Sequence, residues 1–154
     1  MSLLEVFYKK DQWDVVAKAL KHDIKTAGYL DEFVMRTANL YKFEGDLTNS
    51  ELEKISQDFL ADPIIQSYKI NSVDSDFRYE NFYIIDIWLK NGVTDTVGQT
   101  VQRGIKTLNI NKDVVVKTGH RYLISNELSR DKVETIVSTL LTNSIIQEYS
   151  IRTI

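Results

Sequence analysis

The sequence predicts an α+β fold built from two tandem β-α-β-β-α-β units. Three observations lead there. First, residues 3–73 match residues 84–154 at a constant offset of 81 with no gap, giving 18 identities in 71 pairs. Chance would give about 4 at ordinary residue usage, so a repeat covers nearly the whole chain. Second, each copy opens with a period of two and passes to a helical period at the same place. Third, each copy shows the signal for a second helix, closed by "IIQSYKI" in one and "IIQEYSI" in the other.

The elements follow in order. Leu4, Val6 and Tyr8 alternate with Glu5 and Phe7, as Ile85, Ile87 and Leu89 alternate with Asp86 and Trp88. That is a strand with one buried face. Val16, Leu20, Ile24 and Ala27 step by four, four and three, and Val97, Val101, Ile105 and Leu108 repeat the steps, a helical stripe. Asp14 and Asp95 stand where this helix begins and suit its N-cap. "FVMR" and "VVVK" then read as short strands, interrupted by "TAN" and "TGH" and followed by "LYKFEG" and "RYLISN", which predicts a hairpin in each copy.

A second helix starts at Thr48, with Glu51 in capping-box position, and at Ser129. Leu52, Ile55, Phe59 and Leu60 form its stripe, matched by Val133, Ile136, Leu140 and Leu141. Pro63 is expected to stop the first copy, since proline cannot continue a helix. The result is the ferredoxin-like order twice: one unit over 1–72, a polar linker over 73–81, and a second unit over 82–154. Units of about 70 residues are marginal alone, so the two copies are expected to bury surface against each other as a fused pseudo-dimer. Phe7 and Trp88, at matching positions, would either supply that surface or pack under a helix.

Composition excludes several functions. The chain has 154 residues, 43% of them hydrophobic and 27% charged, and no cysteine. Disulfides, thiol catalysis and thiolate metal sites are therefore ruled out. No run reaches the roughly 20 apolar residues of a membrane span, and "MSLLEVFYKK" turns charged too early for a signal peptide. The expectation is a cytoplasmic protein with no membrane contact. A net charge of −3 argues against nucleic acid as a partner. Residues 1–73 carry 9 Lys/Arg against 12 Asp/Glu and residues 82–154 carry 9 against 7, a mild asymmetry that reads as scatter.

Catalytic constellations are missing. No histidine pair has metal-ligand spacing, and no nucleophile elbow, Walker loop or dinucleotide fingerprint occurs. Two segments remain as candidate anion or partner contacts. Lys117, Thr118, Gly119, His120 and Arg121 read as a tight turn with cations, a hydroxyl and outward N–H groups, suited to a phosphate or to carboxylates. Arg36 and Thr37 are the weaker first copy. In "LKNGVTDTVGQTV", Lys90 precedes Gly92 and Gly98, which bracket Asp95 at a strand-to-helix junction, where a helix N-terminus can hold an anion. The plainer readings are a solvated hairpin tip and a glycine loop with a close helix contact.

These segments also carry a resemblance. Lys90, Gly92, Val93, Asp95 and Gly98, then Thr118 and Gly119, then Leu140, Leu141, Asn143, Ile146 and Tyr149 are similar to three ordered motifs of the PurS family. Asn91, Thr96 and Ser144 stand where that family has prolines. The first copy is more diverged but keeps "RT", "GDLT" and "LADPIIQSY". The family is the small subunit of phosphoribosylformylglycinamidine synthase in purine biosynthesis. The resemblance implies a chain without catalytic residues or a cofactor of its own, within an ATP-dependent glutamine-amidotransferring ligase. ATP and magnesium would be bound by the synthetase partner. The implied partners are a PurL-type synthetase and a PurQ-type glutaminase, docked together for ammonia transfer, with a homo-oligomer also compatible. In some members two such units lie fused at the head of the synthetase chain, and this sequence resembles that pair. The alternative is a regulatory module binding a small molecule between paired units.

Overall fold

The computed structural model describes residues 1–71 and 77–154. Its elements are β1 (Ser2–Tyr8), α1 (Val15–Thr26), β2 (Met35–Glu44), α2 (Asn49–Ile55), β3 (Gln66–Ile70), β4 (Phe82–Leu89), α3 (Thr96–Thr107), β5 (Val115–Ser125), α4 (Arg130–Ile136) and β6 (Gln147–Arg152). The strands form one six-stranded sheet in the order β3-β1-β2-β5-β4-β6, with antiparallel neighbours throughout. The α+β class and the matching element order of the two halves are as the sequence predicts.

The expected hairpins differ. Each is one continuous strand, β2 or β5, with "TAN" or "TGH" inside it. The physical reason lies at Gly119. A Cβ there would stand 2.7 Å from the Ile87 carbonyl oxygen and 2.7 Å from Trp88 Cε3. The glycine accommodates a tryptophan lying across the strand, and a strand glycine often marks such a close approach. Each half therefore contributes three strands, and β2 pairs with β5 along ten residues, from Met35↔Ile124 to Glu44↔Val115.

All four helices cover one face, and they do so crosswise. One core joins Ala17 and Ile24 of α1 to Ile85 and Ile87 of β4 and to Val133 and Ile136 of α4. The other joins Val101 and Ile105 of α3 to Leu4 and Val6 of β1 and to Leu52 and Ile55 of α2. The first helix of each half thus packs on the outer strands and second helix of the other. This follows from strand length: β2 outruns β1 and continues along β5, so α1, tied to the early part of β2, lies over the far half.

Local signals explain the helix ends. Asp14 accepts from Ala17 N–H and Asp95 from Gly98 N–H, while Thr48 and Glu51 form a reciprocal capping box. Both α2 and α4 run into a π-helical turn that ends at equivalent residues, Leu60 and Leu141. Pro63 is therefore not needed as a stop. Asp62 and Asn143 do this work in both copies, each accepting from the N–H two residues on while its own N–H donates to a glutamine side chain, Gln66 or Gln147.

Arg78 and Tyr79, from the connection between the halves, lie on the second face of the sheet; residues 72–76 lie outside the described part. Residues 77–79 form a short 3-10 turn. Tyr79 is fully buried there against Ile84 and Leu123. Phe7 and Trp88 lie on this same face rather than under a helix, and Trp88 meets Lys42 of the other half. The Arg78 guanidinium sits 3.7 Å over the Phe7 ring and the Lys42 ammonium 4.0 Å over Trp88.

Candidate functional site

The strand-to-helix junctions make two equivalent clefts. One, about 390 Å³, is lined by Lys90, Gly92, Asp95 and Lys117. The other, about 310 Å³, is lined by Lys9, Asp11, Asp14, Arg36 and Thr37, with Arg78 at its rim. The candidates Lys90, Gly92, Asp95 and Lys117 are thus brought together, as are Arg36, the counterpart of Lys117, and Thr37, the counterpart of Thr118.

The candidate charged groups of both clefts already have partners within the fold. Asp95 accepts from Gly98 N–H at 2.7 Å, from Thr118 N–H at 2.6 Å and from the Thr118 hydroxyl at 2.9 Å. Asp14 is matched by Ala17 N–H at 2.9 Å, Thr37 N–H at 2.7 Å and the Thr37 hydroxyl at 2.8 Å. Each carboxylate therefore staples a helix N-terminus to the middle of a strand. Lys90 donates to the Ser144 carbonyl and Lys9 to the Pro63 carbonyl, at 2.6 and 2.7 Å. Arg36 is held by Asp11 and Lys117 by Glu44. Gly92 takes φ +88°, which its turn requires, whereas Gly98 lets α3 approach β5: a Cβ would lie 2.2 Å from the Val116 carbonyl oxygen.

The candidate turn Lys117–Arg121 is not a turn, and its residues separate. Lys117, Gly119 and Arg121 face away from the helices, while Thr118 and His120 face them. His120 stands at the centre of the sheet beside Tyr122 and over a small cavity lined by Val6, Tyr8 and Asn39. The residue stays partly open to solvent between the helix pairs, and partial loss of water around the ring lowers its pKa below the ordinary histidine value. Arg121 is 3% exposed and belongs to a buried ionic cluster that sequence reading missed. It donates through Nε and Nη2 to Asp86, at 2.7 and 2.9 Å, and through Nη1 to Glu5 at 2.9 Å. Tyr79 donates to Glu5, Arg78 reaches the other Glu5 oxygen at 2.8 Å, and Arg152 reaches Asp86 at 2.8 Å. Burial alone would lower the guanidinium pKa, but Asp86 and Glu5 more than reverse this and raise it. The available signal was the carboxylate repeated within a strand at positions 5 and 86. It was hidden because period two places both on the side read as solvated.

Among the described residues no group of three or more His, Asp or Glu could hold a metal ion. Among the described residues no helix is long and apolar enough to cross a membrane.

Residues 83–154, from β4 to the end of β6 and beyond, match the family model PurS, phosphoribosylformylglycinamidine (FGAM) synthase. Among solved structures, the chain is similar to Methanocaldococcus jannaschii PurS, one of the subunits of formylglycinamide ribonucleotide amidotransferase in the purine biosynthetic pathway. That likeness has 30% identity over 46% of this chain and 92% of that one, with a TM-score of 0.40. No curated protein matches significantly. The chain belongs to the PurS family.

Proposed function

We propose that this chain is a non-catalytic assembly subunit or domain of phosphoribosylformylglycinamidine synthase. It would consist of two PurS-like units, 1–72 and 82–154, joined by the linker 73–81. In this reading the pair holds a PurL-type synthetase and a PurQ-type glutaminase in the geometry that ammonia transfer needs. The synthetase would bind ATP and magnesium, and the pair would need no cofactor.

The observation that carries the reading is the structural engagement of Asp14 and Asp95, which leaves at most one acceptor site on each. A general acid or base needs a lone pair or proton free to meet the substrate. Here each carboxylate takes three donors from its own fold. What repeats in the chain is joinery.

The test is reconstitution. The chain alone should show neither glutaminase nor ATPase activity. Added to a synthetase and glutaminase that lack such a subunit, it should restore glutamine-dependent amidation and co-elute with them. Absence of both co-elution and restored turnover would sink the proposal. The two equivalent clefts favour a second reading, a module that binds a small molecule. A melting shift with one metabolite in a screen, without binding to either enzyme, would select it.

A further inference from the structure

Residues 81 apart occupy equivalent places, so a contact between the halves occurs twice, once in each direction. Where equivalent positions carry the same residue, the interface cannot tell one half from the other. Several interface positions differ in charge, among them Glu44, which pairs with Lys117 and corresponds to Ser125; at three of them a pair of like halves would set like charges together or leave buried acids without their shared base. Asp31 in the first half corresponds to Lys112 in the second, and Glu51 corresponds to Lys132. These four residues make two ion pairs across the halves: Lys112 Nζ to Glu51 at 2.6 Å and Lys132 Nζ to Asp31 at 2.9 Å. The Lys132 ammonium holds the Asp31 carboxyl below its ordinary pKa, and Lys112 does the same to Glu51. Both acids therefore belong to the first half and both bases to the second.

The third position is buried. Leu40 corresponds to Arg121, whose single guanidinium binds the equivalent acids Glu5 and Asp86 together. A pair of two first halves would set Asp31 against Glu51 twice. It would also leave two buried Glu5 side chains, each with its Arg78, facing Leu40 where Arg121 now stands. A pair of two second halves would set Lys112 against Lys132 twice. Folding does not require this arrangement. An acid at one position and a base at the other, in each half, would give the same two ion pairs and make every half self-complementary, as a two-fold interface between identical units must be.

We propose that these differences form a charge code that restricts each half to pairing with the unlike half, so that chains do not link through like halves. Part of the charge asymmetry along the chain is thus a property of this interface rather than scatter. The inference rests on reading the chain as two units and not on the assembly role, so failure of reconstitution leaves it untouched.

The full chain tests it. Asp31→Lys with Lys132→Asp keeps both intramolecular ion pairs but gives each half one acid and one base. After refolding from denaturant over a range of concentrations, size-exclusion with light scattering reads the species larger than the wild-type form. Their fraction should rise with concentration and exceed wild type on the order of tenfold at low salt, since each changed contact turns from repulsion to attraction. The excess should shrink in 0.5 M salt, which screens exposed pairs. The fourfold exchange Asp31→Lys, Glu51→Lys, Lys112→Asp and Lys132→Glu moves all acids to the second half; it also removes the Glu51 capping acceptor of α2, so it should melt lower than wild type but match its oligomer fraction. Equal oligomer fractions in wild type and the double variant, or in the double and fourfold variants, would overturn the proposal. Glu51→Lys with Lys112→Glu repeats the test at the other contact if the first variant does not fold. Loss of folding in both would show that the pairs do more than choose a partner, and would also overturn it.

Discussion

Asn39 and His120 face each other at the middle of the central strand pair, and they are the same position in the two halves. An approximate two-fold axis therefore runs between them. On one side of the sheet it passes between the two helix pairs. On the other it passes near Arg121, the residue by which the halves differ most at their joint. The fold is thus a closed pair with one polar lock at the axis, and its behaviour follows from how that lock and the crossed cores are built.

The lock is expected to dominate stability. Arg121→Leu installs the residue of the first half but leaves Glu5 and Asp86 buried without their shared cation. Removing one partner of a buried ionic network costs about 3–5 kcal/mol. Denaturant melts should show a loss of that size, and Glu5→Gln with Asp86→Asn in the same chain should recover much of it. A loss below about 1 kcal/mol would mean the cluster is solvated.

Two helix glycines separate propensity from packing. Replacing glycine by alanine within a helix ordinarily gains up to about 1 kcal/mol. At Gly104 the new methyl meets Phe59 ring atoms, nearest 2.2 Å away, but that ring is 40% exposed and can move. Gly104→Ala should therefore be near neutral. At Gly98 the obstacle is the Val116 carbonyl oxygen at 2.2 Å, part of β5 and fixed by the sheet. Gly98→Ala should destabilise by about 1–3 kcal/mol through overpacking. Equal effects at both positions would contradict the close approach of α3 to β5.

His120 gives a pH signature. Its pKa is lowered by loss of water, so on acidification the unfolded chain takes up the proton first. Stability should fall as pH drops below about 6.5, the unfolded value, and this contribution should stop once the folded-state pKa is passed. Asparagine fits the equivalent position, so His120→Asn should keep the fold and lose this step. Denaturant midpoints at pH 7.5 and 5.5 check it: the wild type should lose more than the variant. Equal losses would place the ring in ordinary solvent.

Much of this architecture is legible in the sequence because it depends on local period and local caps. Ile24 and Ile105, or Leu52 and Val133, lie on stripes that any amphipathic helix shows, and Asp14, Asp95 and Thr48 cap where their neighbours say they should. What was illegible depends on distant residues. Gly119 looks like a turn glycine until Trp88 is seen lying on it. Glu5 and Asp86 look solvated until Tyr79 arrives from a linker that reads as polar. The candidate site followed the same division. The Lys90–Gly98 segment folds as a junction, whereas Lys117–Arg121 divides between two faces because it is strand.

The crossed cores make the strongest prediction about the halves themselves. Residues 1–72 contain α1 and α2, but each helix lacks part of its packing partners there. Ala17 and Ile24 need β4 and α4, and Leu52 and Ile55 need α3. An isolated 1–72 piece would expose β2 along the ten residues that now pair with β5, an open apolar edge that invites association. It should give no cooperative melt at low concentration and should aggregate or self-associate as concentration rises. Mixing it with residues 77–154 should restore a cooperative transition, because each core is completed only by both pieces. A monomeric 1–72 piece that melts cooperatively near the temperature of the whole chain would show that each half closes on itself.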